Sequence, residues 1–400
     1  MTSKELMCIE DQYGAHNYHP LDVILTKGDG IWVYDIEGNK YLDFLSAYSS
    51  VNQGHCHKRI LKALKNQAKK LTITSRAFRN DQLGHFCKEV CGLTGMEMML
   101  PMNSGAEAVE TAIKSVRKWA YSVKGVKKDK AEIITCAGNF HGRTTTIVGF
   151  STETLYKEYF GPYTPGFKTI PFGNAEALRK TITKNTAAFM VEPIQAEGGV
   201  LIPPEGYLKE CEQICRENNV LLVLDEIQTG LGRCGKLFAC YHEDVKPDIY
   251  ILGKAISGGF YPVSAVVASQ EILGVFTPGE HGSTFAGNPL ACAIAREALK
   301  VLQDEKLVEN SEKLGSYFME KLRTIESEHV KEVRGKGLLI GVELHEKAGG
   351  ARRFCEALMK EGLLCKETHE HVIRFAPPLV ITRKDLDWAF LRVKKILETL

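Results

Sequence analysis

The chain lacks most of the features that would settle its class at a glance. No apolar run in its 400 residues approaches the roughly 20 that cross a bilayer, and mean hydropathy is −0.15. Neither sign of charge dominates. Lys and Arg number 51 against 49 Asp and Glu, a net charge of +2 that argues against nucleic acid as the main partner. The opening MTSKELMCIEDQYG carries acids early and no apolar or Arg-rich stretch, so no secretory signal or organelle presequence is read there. Twelve cysteines are present, but without a disulfide pattern. Cys87 and Cys91, like Cys211 and Cys215, fall four apart on helical patterns, as small buried residues do. Gly54-His55-Cys56-His57 has no second Cys/His cluster at ligand spacing, so no metal is expected. These absences predict a soluble, cytoplasmic protein in a reducing compartment, with no membrane or nucleic-acid partner.

A true phosphate-binding loop is also missing, although VLLVLDEIQTGLGRCGKL at 220–237 imitates one. Gly230 to Lys236 has the glycine and lysine spacing. However, Leu237 stands where Ser or Thr would hold Mg²⁺, and the acidic strand end comes before the loop instead of after it. Turn-forming glycines in a surface loop are the expectation. Asp225, at the end of the apolar run, still needs a purpose.

What is present is a rhythm of short β-rich runs and long amphipathic helices, the pattern of an α/β fold with a largely parallel sheet. Strands are expected at 132–136, 187–191, 220–224 and 248–252, each ending in a polar or glycine-rich turn. Ligands bind beyond the carboxyl ends of such strands, so these four turns should converge on one site. Ser104-Gly105-Ala106 opens a helix to about residue 123, and Asn288-Pro289 opens another to about 303. Extended segments at 30–35 and 40–44, and a strand at 338–344, mark the flanks. The expected division is 51–304 as a large domain, with 1–50 and 305–400 joining into a small α+β domain.

Lys254 follows one of these strands, where a desolvated amine can attack carbonyl groups. A carboxylate at an apolar strand end needs a cationic partner, and a pyridinium nitrogen is one. Lysine plus such an Asp is the signature of a pyridoxal phosphate site, with Gln228 three residues on to donate to the ring's phenolic oxygen. The helix start at Ser104 offers backbone N–H groups for phosphate.

NSGAEAVETA, NFHGRT, EPIQAEGGV, LDEIQTGLGRCGK, LGKAISGG and GEHGSTFAGNPLA stand in order along the chain. Together they resemble the class III (subgroup II) pyridoxal-phosphate aminotransferases of fold type I, whose large sheet has seven strands. The flanks GAHNYHP, FLSAYSSVNQGHCH, VRGKGLL and IRFAPPLVI are similar to the branch acting on ornithine. The resemblance implies transfer of the δ-amine of L-ornithine to 2-oxoglutarate. The products are glutamate and glutamate 5-semialdehyde, which cyclises to pyrroline-5-carboxylate. It implies Lys254 as the Schiff-base lysine, Asp225 as the ring-nitrogen partner, Gln228 at O3′ and Phe140 stacked on the ring. Ser104, Gly105 and Ala106 match the phosphate loop, completed by Ser283 and Thr284 from the second subunit of a homodimer or higher oligomer. Tyr18 and Arg143 match the holders of ornithine's α-carboxylate end, Tyr48 the residue favouring ornithine, and Glu197 and Arg374 a salt-bridged switch. His141, Ala196, Gly198, Cys234, Ala286 and Lys58 depart from the ornithine pattern. N-acetylornithine, 4-aminobutyrate and lysine therefore stay open as alternative donors.

Overall fold

The computed structural model describes residues 1–400. Its centre is a seven-stranded sheet in the order Met98–Met102, Ser264–Ala268, Ile249–Leu252, Leu221–Asp225, Thr186–Val191, Glu132–Cys136, Phe167–Ile170. Ser264–Ala268 alone runs against its neighbours. Alternate residues of each strand enter two separate cores, as a two-residue side-chain period requires. Leu222 and Leu224 join the larger core, while Leu221 and Val223 join the one on the opposite face. With both faces covered, the strands read as continuous apolar runs.

Helix Gly105–Ser122 covers one face with Ala108, Val109, Ala112, Ile113, Val116 and Trp119, a repeat at three- and four-residue spacing. Its start is a capping box. The Ser104 hydroxyl accepts from the Glu107 N–H at 3.2 Å and the Glu107 carboxylate from the Ser104 N–H at 2.7 Å. Helices Leu83–Thr94 and Tyr207–Glu217 pack on the other face, and helix Pro289–Asp304, capped by Asn288, which accepts from the Ala291 N–H at 2.8 Å, joins the same core.

The four expected strands form, with shifts of one residue. Asp225 lies inside its strand and Asp248 outside, where its carboxylate accepts from the Leu222 N–H at 2.7 Å. Three strands were not legible: Met98–Met102, Phe167–Ile170 and Ser264–Ala268. Met98–Met102 contains Pro101 and tolerates it because it is an edge strand. Trp32–Asp35, Lys40–Asp43 and Leu339–Leu344 are also strands. Leu363–Leu364 pairs in parallel with Leu42 and Asp43, which joins sequence from the two ends of the chain.

The Gly230–Lys236 stretch is not the expected surface loop. Residues 230–235 are buried, and Arg233 is 0% exposed. Its guanidinium donates to the carbonyls of Leu338 and Pro377 at 2.9 and 2.7 Å and to Asn52 Oδ1 at 2.6 Å. Burial lowers its pKa to about 9. The glycines make a tight turn under a cation that fastens the sheet to the C-terminal segments.

Candidate active site

Because the strands are parallel, their carboxyl ends lie along one edge. That edge brings together Gly105 and Ala106, Phe140 to Gly142, Glu192, Asp225, Ile227 to Thr229, and Lys254, around a cavity of about 210 Å³. Lys254 has φ +45°, a left-handed backbone that costs a side-chain-bearing residue free energy and recurs where function over-determines geometry. Burial lowers its pKa to about 8, against an opposing pull from Glu197. At pH 7 roughly a tenth of this amine is then neutral and nucleophilic, far more than for a lysine at its ordinary pKa.

Asp225 is 4% exposed. One carboxylate oxygen accepts from the Ile227 N–H at 3.1 Å, and the other meets His141 Nδ1 at 2.7 Å. Burial disfavours the His141 imidazolium, but Asp225 more than offsets this and raises its pKa. Behind them, burial pushes the Glu192 carboxyl up to about 8, although it accepts from the Phe140 N–H at 2.9 Å. His141 and Glu192 were not singled out for this site. The available signal was that a buried carboxylate needs more than one partner, and His141 lies two residues from the end of an expected turn.

At the other end of the cavity, the capping box uses both Ser104 groups and leaves the Gly105 and Ala106 N–H groups at the helix start. Gly105 is needed for closeness, since a Cβ there would sit 3.0 Å from Ile227 Cδ1. Ser283 Oγ lies in the same chain against Asn103 Nδ2 at 2.8 Å and Glu107 Oε1 at 3.1 Å. Thr284 is exposed beside it and Phe285 is 50% exposed.

A second cavity of about 260 Å³ adjoins the first through Phe140 and is lined by Tyr18, Tyr48, Arg143, Tyr156, Glu197 and Arg374, among others. Arg374 is 1% exposed and pairs with Glu197 at 2.6 Å. Gln228 bridges the pair: its carbonyl accepts from Arg374 at 3.3 Å and its amide donates to Glu197 at 3.2 Å. Burial would raise the Glu197 pKa, but Arg374 and then Lys254 hold it below the usual range. Tyr48 lies over Arg374, the guanidinium carbon 4.9 Å from its ring centroid. It is presented by a left-handed turn, with φ of +50°, +45°, +57° and +71° at Ser46 to Ser49. Tyr18 is 69% exposed at the mouth, 5.9 Å from the Arg143 guanidinium carbon.

His55 and His57 do not converge; they pair separately with Asp43 at 2.7 Å and Glu305 at 3.0 Å. No helix is long and apolar enough to cross a membrane.

A doubly covered sheet with a desolvated lysine facing a buried aspartate at the strand ends is the fold-type-I architecture of pyridoxal-phosphate enzymes. Residues 13–397 match the family described as aminotransferase class-III, and the chain belongs to that family. It is 63% identical over 392 residues, 98% of each chain, to an ornithine aminotransferase of Geobacillus sp. (strain WCH70). The structure of ornithine aminotransferase from Toxoplasma gondii ME49 superposes with a TM-score of 0.98 at 46% identity, covering 99% of this chain and 95% of that one. Acetylornithine aminotransferase from Elizabethkingia anophelis superposes at 0.91 with 48% identity, covering 99% of both chains. The family is pyridoxal-phosphate dependent, and the residues present suit that cofactor. A desolvated amine, a buried carboxylate and free helix N–H groups line one cavity.

Proposed function

We propose that this protein is an ornithine δ-aminotransferase, passing the δ-amine of L-ornithine to 2-oxoglutarate. The observation that carries the reading is the pair of arginines in the cavity that adjoins the lysine's own, one without an anionic partner and one ion-paired. Lys254 would hold the cofactor, Asp225 would keep a proton on its ring nitrogen, and Phe140 would face its ring. Gly105 and Ala106, with Ser104, would hold its phosphate, and Gln228 its phenolic oxygen. Bound there, pyridoxal phosphate supplies a carbonyl that receives amino groups and a ring that accepts the electron pair of the carbon losing its proton. Lys254, once free, carries that proton.

One cleft must take two substrates in turn. Ornithine reacts at its δ-amine, and 2-oxoglutarate reacts at a carbon bearing a carboxylate. Arg143, with Tyr18, can hold the distal carboxylate of both. Only the keto acid needs a second fork beside the reacting carbon, and Arg374 supplies it. Glu197 neutralises Arg374 while ornithine is bound, so an α-amino acid is not drawn in the wrong way round. The hydroxyl of Tyr48 would meet ornithine's α-amino end.

The reading extends to a cytoplasmic homodimer. All twelve cysteines are unpaired, which suits a reducing compartment. Thr284 and Phe285, both exposed, would meet a second copy, where Thr284 would reach the neighbour's phosphate site. Mixed Lys254→Ala and Thr284→Arg subunits should then regain activity in hybrids.

The decisive experiment is a donor panel with the holoenzyme, following its absorbance and the products formed. Ornithine should convert the cofactor fastest and yield the cyclic imine. Faster reaction with N-acetylornithine, which the Elizabethkingia likeness keeps in view, would overturn the reading.

A further inference from the structure

The Arg143 guanidinium has no carboxylate, carbonyl or hydroxyl partner within the chain, yet it is not loose. Its carbon lies 4.6 Å from the ring centroid of Tyr156, 5.7 Å from Phe140 and 5.9 Å from Tyr18. Tyr156 is the nearest, and its ring also meets Phe140 edge-on, with centroids 6.0 Å apart and planes at 74°. It belongs to the short helix Thr154–Lys157, in a segment whose other large apolar side chains face solvent. Leu155 is 82% exposed, Tyr159 95% and Phe160 60%, while Tyr156 turns into the cleft.

We propose that Tyr156 is a positioning residue for the carboxylate at the substrate's unreactive end, acting through Arg143. The inference rests on the reading of Arg143 given above. A guanidinium is planar, and its two interactions use different parts of it. Aromatic rings take its face, whereas a carboxylate takes its N–H edge. Tyr156 thus fixes where the edge points and leaves every N–H free. A carboxylate in place of the ring would fix Arg143 equally well but would compete with the substrate for the same donors. Arg is rich in rotamers, and each one excluded before the substrate arrives lowers the cost of binding. Because Tyr156 also touches Phe140, it ties the carboxylate end of the cleft to the side chain expected against the cofactor ring.

The test compares two amines that differ by one carboxylate, ornithine and 1,4-diaminobutane, added to the holoenzyme. In Tyr156→Leu, half-saturation by ornithine should move up about tenfold, within the range of a cation–π contact, with the limiting rate little changed. 2-Oxoglutarate should weaken by a similar factor. The diamine, measured by its own reaction or by competition with ornithine, should bind as before. Tyr156→Phe, which keeps the ring, should restore ornithine binding. Equal weakening of the diamine, or no weakening of ornithine, would overturn the proposal. Arg143→Ala separates this inference from the reading beneath it. If that variant leaves the ornithine-to-diamine preference intact, Arg143 is not the carboxylate receptor. If it abolishes the preference while Tyr156→Leu does not alter it, only the role of Tyr156 falls.

Discussion

Arg143 and Arg374 line the same cleft and are treated in opposite ways. Arg374 is 1% exposed and locked to Glu197 at 2.6 Å, whereas Arg143 is exposed and held by rings alone. Both carry an aromatic face, Tyr48 on one and Tyr156 on the other, so burial and the anion that accompanies it distinguish them. A guanidinium held by rings is permanently available to carboxylate. One held by a carboxylate is available only when that partner leaves. Two substrates of different length can share a cleft built this way without a large domain movement.

Breaking the gated side should have the largest effect. Arg374→Lys keeps the charge but loses the fork, and the 2-oxoglutarate half-reaction should weaken by about 2–5 kcal/mol, as for a buried charge pair deprived of its partner. Ornithine should still convert the cofactor in single-turnover spectra. Arg143→Ala should come next, costing about 1.5–3 kcal/mol, the value of hydrogen bonds to a charged group, in both half-reactions alike. A loss confined to one substrate would dissolve the comparison. Glu197→Ala should then raise the glutamate-to-ornithine rate ratio roughly tenfold, the worth of one charge-assisted hydrogen bond. An unchanged ratio would make Glu197 a structural ion-pair partner.

Much of this contrast was legible in the sequence, and its limits have physical causes. Lys254 and Asp225 stand out because a titratable side chain at the end of an apolar run is costly unless used, and the parallel sheet brings such ends together. Arg143 and Arg374 came only through ordered family motifs, since an arginine's residue type does not say whether an acid faces it. Tyr156 gave no signal at all. It sits in a run with Leu155, Tyr159 and Phe160, and only the fold decides which one turns inward. The Gly230–Lys236 stretch reads as a surface loop from sequence, whereas burial of Arg233 depends on carbonyls from Leu338 and Pro377, more than a hundred residues away.

Tyr48→Ile strips the ring from the gated arginine, as Tyr156→Leu does from the free one. It should shift preference from ornithine toward 4-aminobutyrate by about 1 kcal/mol, roughly fivefold, for one lost hydrogen bond. Competition between the two donors measures this directly. If the ratio stays put, Tyr48 serves only to face Arg374.

The smallest effect is read at Lys254, which feels Arg374 and its partner Glu197. In the apoenzyme Lys254 is depressed to about 8, first by burial, while Glu197 raises its pKa and Arg374 lowers it. A neutral amine reacts and an ammonium does not, so labelling of Lys254 by trace acetic anhydride should rise with pH and reach its midpoint near 8. Glu197→Gln removes the negative neighbour and leaves Arg374 unneutralised. Both changes favour the neutral amine, so the midpoint should fall and the lysine should react at lower pH. Arg374→Gln removes a positive neighbour, and the midpoint should move the other way. Arg143 is not among the largest contributors to this pKa, so Arg143→Gln should leave the midpoint near 8. Peptide mapping by mass spectrometry gives the midpoint for each variant. An equal shift from both arginine substitutions would mean that the two guanidinium groups are not electrostatically distinct to the lysine, and the division into a free and a gated arginine would fail.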